Sequence, residues 1–200
     1  MSPGASVVGD DGRLRCPWGL SNPDYVSYHD DEWGRPIRTD NGLYERLTLE
    51  GFQSGLSWLT ILRKRENFRA AFDAFDLERV AGYGDGDVDR LMGDAGIVRN
   101  RAKIEAAIAN ARAAVEMASN GESLAALAWS FRPDRETAPT GRDDLAATTD
   151  GSKALAKELK RRGFRFVGPT TAYALMQAVG IVNDHIAGCA VREAVEAERP

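Results

Sequence analysis

Cysteine and histidine are the scarcest reactive groups in this 200-residue chain, with two of each. Two cysteines exclude a disulfide-rich scaffold. Long apolar runs are missing too: no stretch approaches the roughly 20 residues that span a bilayer, so no membrane partner is expected. The opening residues 1–10 lack the basic region and apolar core of a secretory signal. These absences point to a reducing, cytoplasmic setting, where a metal or free thiols are expected over a disulfide. Excess positive charge is absent as well. Lys plus Arg number 26 against 30 Asp plus Glu, a formal net charge of −4, which argues against a uniformly basic, phosphate-coating surface. Segregated charge remains open: Asp24, Asp30, Asp31, Glu32, Asp40, Glu45 and Glu50 make the early region acidic, whereas Lys153, Lys157, Lys160, Arg161, Arg162 and Arg165 cluster late, with only Glu158 among them.

The few cysteines and histidines lie at the two ends of the chain, Cys16 and His29 near the start, His185 and Cys189 near the finish. Thiolate sulfur and imidazole nitrogen bind zinc tetrahedrally, and two of each complete a closed shell. His185 and Cys189 are spaced by one helical turn, so both can face one ion. If all four meet, the chain ends are clipped together. The plainer alternative is two buried thiols and two surface imidazoles.

Nearly every segment between those ends reads as helix, and the expected fold class is all-α. Apolar residues recur at helical spacing over Gly42–Gly51 and Leu56–Phe75. Asp76 offers an N-cap for a helix through Ala81, Asp85 or Asp87 for one ending at Gly96, and Asn100 for an alanine-rich helix to Asn120. A short helix over Leu124–Phe131 precedes a loop from Arg132 to Asp150, rich in Pro, Thr, Asp and Gly. Ser152 then caps a helix to Arg162, with Gly163 as its stop, and Pro169 opens the next. No strand is evident. Residues 1–13 read as a flexible extension, 14–190 as one unit, and 191–200 as a tail.

Two stretches carry chemistry. Gly163-Phe-Arg-Phe-Val-Gly168 is a glycine-bracketed turn between two helices, with Phe166 and Val167 placed to anchor it. Gly168 can present its N–H at a helix start, where the dipole favours an anion. Beside the basic run this is the layout of a helix-hairpin-helix phosphate clamp; an ordinary capped corner is the simpler reading. The second stretch gathers Trp18, Tyr25, Tyr28, Trp33 and Trp58, three of the four tryptophans, around Glu50 and Gln53. Flat electron-rich rings suit a flipped-out, cationic base. Glu50 among apolar neighbours suits a base amino group. Core packing is the competing explanation for each ring alone.

From about Leu14 to Cys189 the chain resembles the 3-methyladenine DNA glycosylase I family of the helix-hairpin-helix superfamily. The resemblance rests on Cys16-x-Trp18, Tyr25-x-x-Tyr28-His29-Asp-x-Glu-Trp33-Gly34, Leu49-Glu50-Gly-x-Gln53-x-Gly55-Leu56-Ser-Trp58 and Arg63-Lys-Arg-Glu-Asn67-Phe-Arg69. Asp94-Ala-Gly-Ile97, Arg162-Gly-Phe-Arg-Phe-Val-Gly168 and Val182-Asn-Asp-His185-x-x-Gly-Cys189 complete it. It implies a monofunctional enzyme of base-excision repair that hydrolyses the N-glycosidic bond of 3-methyladenine in duplex DNA, frees the base and leaves an abasic site. It also implies a monomer with one structural Zn2+ on Cys16, His29, His185 and Cys189.

By the same resemblance Glu50 recognises the adenine edge, and Trp58 stacks on it. Trp18, Tyr25, Tyr28, Trp33 and Gln53 line the pocket. Leu56 beside Gly55 wedges into the gap left by the base, and Lys160, Arg162, Arg165, Phe166, Gly168 and Thr170 face DNA around the hairpin. Asp184 reads as outer support for His185. Three positions depart from the family pattern: Phe52 stands for a second Gln, Ser54 for Ala and Pro17 for Gly, and Phe52 is the one expected to alter the pocket wall. Two rivals remain, a non-catalytic DNA-binding module with the same hairpin, and a hydrolytic zinc enzyme with an open coordination position.

Overall fold

The computed structural model describes residues 5–134 and 137–199. At its centre is α2, Asp40–Gln53, whose side chains from Leu43 to Phe52 are almost all buried. A helix buried on every face must be surrounded. α3 (Trp58–Ala71), α6 (Arg101–Ser119), α7 (Leu124–Trp129) and α9 (Pro169–Ala178) pack around it. Each apolar side chain sealed here contributes about 1.5–3 kcal/mol, so Leu43, Tyr44, Leu47, Leu49 and Phe52 dominate local stability. The remaining helices are α1 (Pro23–Asp31), α4 (Leu77–Ala81), α5 (Asp85–Gly93), α8 (Asp150–Arg161) and α10 (Arg192–Glu198). Among the described residues no helix is long and apolar enough to cross a membrane.

Caps explain most boundaries. Asp76 and Asn100 accept from the backbone N–H groups of Arg79 and Lys103, as their sequence positions predict. At α8 the cap is Thr149, not Ser152. Ser152 sits three residues in and returns the bond to the Thr149 N–H, closing a capping box. The helix expected over Leu56–Phe75 begins two residues later at Trp58 and stops at Ala71, because Ser57 caps it and Asp73–Phe75 take positive φ. α5 ends at Gly93, short of Gly96.

The ends of the chain depart most from expectation. Val7–Val8 pairs with Leu14–Arg15 as a small antiparallel ribbon, so the described residues are not wholly helical. The final residues form α10, with Val195 buried and Arg199 donating to the carbonyls of Gly180 and Ile181.

Candidate active site and metal centre

The four scarce residues meet. The ligand atoms of Cys16, His29, His185 and Cys189 all lie within 4.8 Å of one another, and all four residues are buried. Three sulfur–nitrogen separations are 3.8 Å (Cys16–His185), 3.6 Å (Cys189–His29) and 3.5 Å (Cys189–His185). A tetrahedral zinc with its usual bond lengths requires roughly 3.5 Å on such an edge, so the cage is already near that size. His185 and Cys189 are not on a helix. A turn closed by Cys189 N–H to the Ile186 carbonyl, with Gly188 at φ +82°, brings them together.

The imidazole tautomers fit a metal as well. His29 Nδ1 meets Asp30 Oδ1 at 2.8 Å and His185 Nε2 meets the Trp33 carbonyl at 3.0 Å. Each partner accepts an N–H, which leaves His29 Nε2 and His185 Nδ1 with lone pairs toward the sulfurs. The carboxylate behind the site is therefore Asp30 on His29. Asp184 does not support His185 as expected; it accepts from Tyr173 Oη at 2.6 Å and Gln177 Nε2 at 2.7 Å. Burial pushes the Asp30 pKa up, but hydrogen bonds from Arg15 and His29 outweigh it and hold the group below its ordinary value. A hydrogen bond from the Cys16 thiol lowers the pKa of Cys189, with both imidazoles helping.

Beside this cage lies a cavity of about 220 Å³ lined by Trp18, Tyr28, Trp33, Glu50, Gln53, Trp58, Ala174 and Gln177. Tyr28 and Trp58 sit 5.3 Å apart by centroid, and Trp18 meets Trp33 edge to face at 4.9 Å. Tyr25 is not in the lining; it supports Trp18 edge-on at 5.7 Å. Glu50 is 7% exposed, and among the described residues its carboxyl has no hydrogen-bond partner. Burial raises its pKa to about 8, with Arg46 one turn earlier opposing. Arg46 is held by Glu32 at 2.9 Å and lies 5.8 Å from the Tyr28 ring. Burial likewise keeps the Tyr28 phenol neutral. A cavity of flat rings with one uncommitted buried carboxyl is suited to a planar, cationic heterocycle.

The model of a family described as methyladenine glycosylase matches residues 18–193. The chain belongs to that family. It is 49% identical over 177 residues to DNA-3-methyladenine glycosylase 1 of Escherichia coli (strain K12), a match spanning 88% of this chain and 95% of the relative. A crystal structure of 3-methyladenine DNA glycosylase I superposes with a TM-score of 0.85 at 50% identity, over 88% and 98% of the two chains. A Staphylococcus aureus family member, whose structure concerns 3-methyladenine recognition, gives 0.84 at 34% identity over 89% and 96%.

The residues expected to face DNA lie in the turn after α2 and around the α8–α9 hairpin. Leu56 is 43% exposed, at the end of a tight turn through Gly55 at φ +81°. The hairpin between α8 and α9 runs Gly163–Gly168. Phe164 and Val167 anchor it, not Phe166, which is 43% exposed at φ +55°. Gly168 caps α9, and Thr170, Lys160 and Arg165 are exposed nearby. Arg162 is brought there differently: its guanidinium is half-buried and tied to Glu158 and Glu122. Arg161 is also paired with Glu158 and Lys153 with Asp150, so much of the basic run is neutralised locally. Phe52 packs at a tilt against Phe68 in the core, centroids 4.8 Å apart, and is not part of the pocket lining.

Gln177 and Asp30 carry no sequence signal of these positions. Gln177 lies in a helix with no motif signal, and Asp30 was one of several early acids.

Proposed function

We propose that this chain is a DNA-3-methyladenine glycosylase: it hydrolyses the N-glycosidic bond of 3-methyladenine in alkylated duplex DNA, frees the base and leaves an abasic site. The observation that carries this reading is Glu50, a buried carboxyl without a hydrogen-bond partner among the described residues, in a pocket of Trp18, Tyr28, Trp33 and Trp58. Methylation at N3 makes the base cationic and a good leaving group. The electrons of the sugar–base bond depart with the base and neutralise it. A water oxygen bonds to the sugar carbon and gives up a proton. The pocket must capture the flipped cation, and stacking plus the charge of Glu50 select it over unmodified adenine. The pocket lining contains no lysine among the described residues, so no amine there is placed to form a Schiff base.

In this reading Leu56 fills the gap left by the base. The N–H groups at the start of α9, around Gly168 and Thr170, hold a phosphate with help from Lys160 and Arg165. Cys16, His29, His185 and Cys189 would hold a zinc ion. Four protein ligands leave no open position for water, so its contribution is to join the chain ends, and the chemistry stays with the pocket. The enzyme acts as a monomer in the cytoplasm.

The test is release of free 3-methyladenine from methylated duplex DNA, with wild type and Glu50→Gln compared at limiting enzyme. Wild type should release the base, and the variant should bind DNA while losing most excision. No base release by wild type would sink the assignment, and equal rates would remove Glu50 from it.

A further inference from the structure

Two buried polar side chains on α6 serve neither the pocket nor the metal cage. Lys103 is 8% exposed and Asn110 is 4% exposed. They are seven residues apart, which places them on one face about two turns, or roughly 10 Å, apart along the axis. Lys103 Nζ donates to the carbonyls of Phe52 at 2.9 Å and Ser54 at 2.5 Å. Asn110 exchanges two bonds with the backbone of Arg165: it accepts from the N–H at 2.7 Å and donates to the carbonyl at 3.1 Å. One grips the turn that carries Leu56, the other the hairpin that carries Phe166.

The cost of the lysine argues that its place is selected. A buried ammonium loses hydration, and burial lowers its pKa. It also sits in the first turn of α6, where the dipole disfavours a cation. What it gains is control of a peptide plane. Ser54 has φ −49° and ψ 117°, Gly55 has φ +81°, and Leu56 N–H bonds the Gln53 carbonyl at 2.6 Å. These values define a type II turn, which differs from type I by a flip of the Ser54–Gly55 peptide. Lys103 takes the carbonyl of that peptide, so it holds the turn in one of the two states and sets the direction of Leu56. At the other end, the Asn110 clamp fixes the residue immediately before Phe166, whose positive φ is sparsely populated for a non-glycine.

Outside the N-terminal ribbon, Leu56 and Phe166 are the exposed large apolar side chains of the described residues. A small void bordered by Gly51, Phe52, Lys103, Asn110, Arg165 and Phe166 joins both clamps beneath the hairpin tip. We propose that α6 is a spacer, with Lys103 and Asn110 as positioning residues that hold the Leu56 turn and the Arg165–Phe166 hairpin in the register needed to engage duplex DNA. This rests on the reading above that Leu56 and the hairpin face DNA.

The test uses the full chain with Lys103→Met, Lys103→Arg, Asn110→Ala, the double variant Lys103→Met/Asn110→Ala, and Leu56→Ala as reference. Two quantities are measured for each: binding of free 3-methyladenine by tryptophan fluorescence, and single-turnover excision from methylated duplex. Lys103→Met and Asn110→Ala should bind the free base within about twofold of wild type while excision falls about tenfold or more, as small misplacements of reacting groups do. The double variant should be little worse than the worse single one, because either break loses the register. Lys103→Arg should recover part of the loss.

Wild-type excision by Lys103→Met and Asn110→Ala, with Leu56→Ala impaired, overturns the spacer alone. Parallel loss of free-base binding and excision also overturns it, since that is general destabilisation. Wild-type excision by Leu56→Ala overturns the wedge reading, and the spacer with it.

Discussion

His185 and Trp33 touch twice: the imidazole Nε2 donates to the Trp33 carbonyl at 3.0 Å, and the rings meet edge to face with centroids 4.7 Å apart. A residue of the Cys/His cage and a wall of the base pocket are one packed unit. Trp18 extends it, lying 5.1 Å from His29 and 4.9 Å from Trp33 by centroid. On the proposed function, an ion in the cage would hold the pocket's shape through these ring contacts.

Loss of the cage should therefore appear first as stability and then as pocket geometry. Cys16→Ser is expected to cost about 3–5 kcal/mol, a drop in Tm of roughly 10 °C, because it opens a buried metal site. Asp30→Asn keeps all four ligands but weakens the bond that orients His29, and should lower zinc affinity by about 10–100-fold. Thermal melts read the first effect, and elemental analysis with chelator competition reads the second. A native wild type that carries no zinc, or an Asp30→Asn protein with unchanged affinity, would contradict this account.

Much of this cage and pocket is legible in the sequence. Cys16, His29, His185 and Cys189 were readable because scarce residue types leave few combinations, and α6 because Asn100 caps a long alanine-rich period. Other features depend on tertiary packing that no local pattern encodes. The ribbon of Val7–Val8 with Leu14–Arg15 is held in place by Arg15, whose guanidinium spans Asp11 and Asp30; such a segment looks like a polar extension when read alone. Phe166 and Phe164 are equivalent in sequence, and only the backbone turn decides which is buried. The Arg162 pairing with Glu122 joins residues 40 apart, and the neutralising effect on the basic run is invisible to a charge count.

Glu50 makes stability and function respond to pH in opposite directions. Its pKa rises from 4.5 to about 8 on folding because burial disfavours the charged form. Between those values the folded chain holds a proton that the unfolded chain has released. The stabilising contribution is thus fully present below about pH 4.5 and is lost as pH climbs through 8. Glu50→Gln removes this dependence. The variant should gain on wild type across that window, by on the order of 4 kcal/mol at its alkaline end, in denaturant melts at pH 5, 7 and 8.5. On the proposed function, capture of the cationic nucleotide needs the ionised carboxyl. Wild-type kcat/KM should then rise about tenfold per pH unit below 8 and level off above it, while the residual activity of Glu50→Gln stays flat. A wild-type profile that is flat from pH 6 to 8 would show that Glu50 is already ionised in the free enzyme.

Asp184 separates the two halves of the site. It lies next to His185 in sequence, yet its carboxylate binds Tyr173 and Gln177. Both bonds end on Asp184 Oδ2 as acceptor, which fixes the Gln177 amide with its NH2 toward Asp184 and, among the described residues, leaves its carbonyl oxygen uncommitted. Gln177 lines the base pocket, and that oxygen can accept from a base amino group. Asp184→Asn can offer Gln177 a donor and turn the amide over. Zinc affinity should then stay within about twofold of wild type, whereas free 3-methyladenine binding should weaken by about 1 kcal/mol, the net worth of one hydrogen bond. Calorimetric titration of the base and chelator competition for the metal read the two effects separately. A fall in zinc affinity with unchanged base binding would return Asp184 to the support of His185.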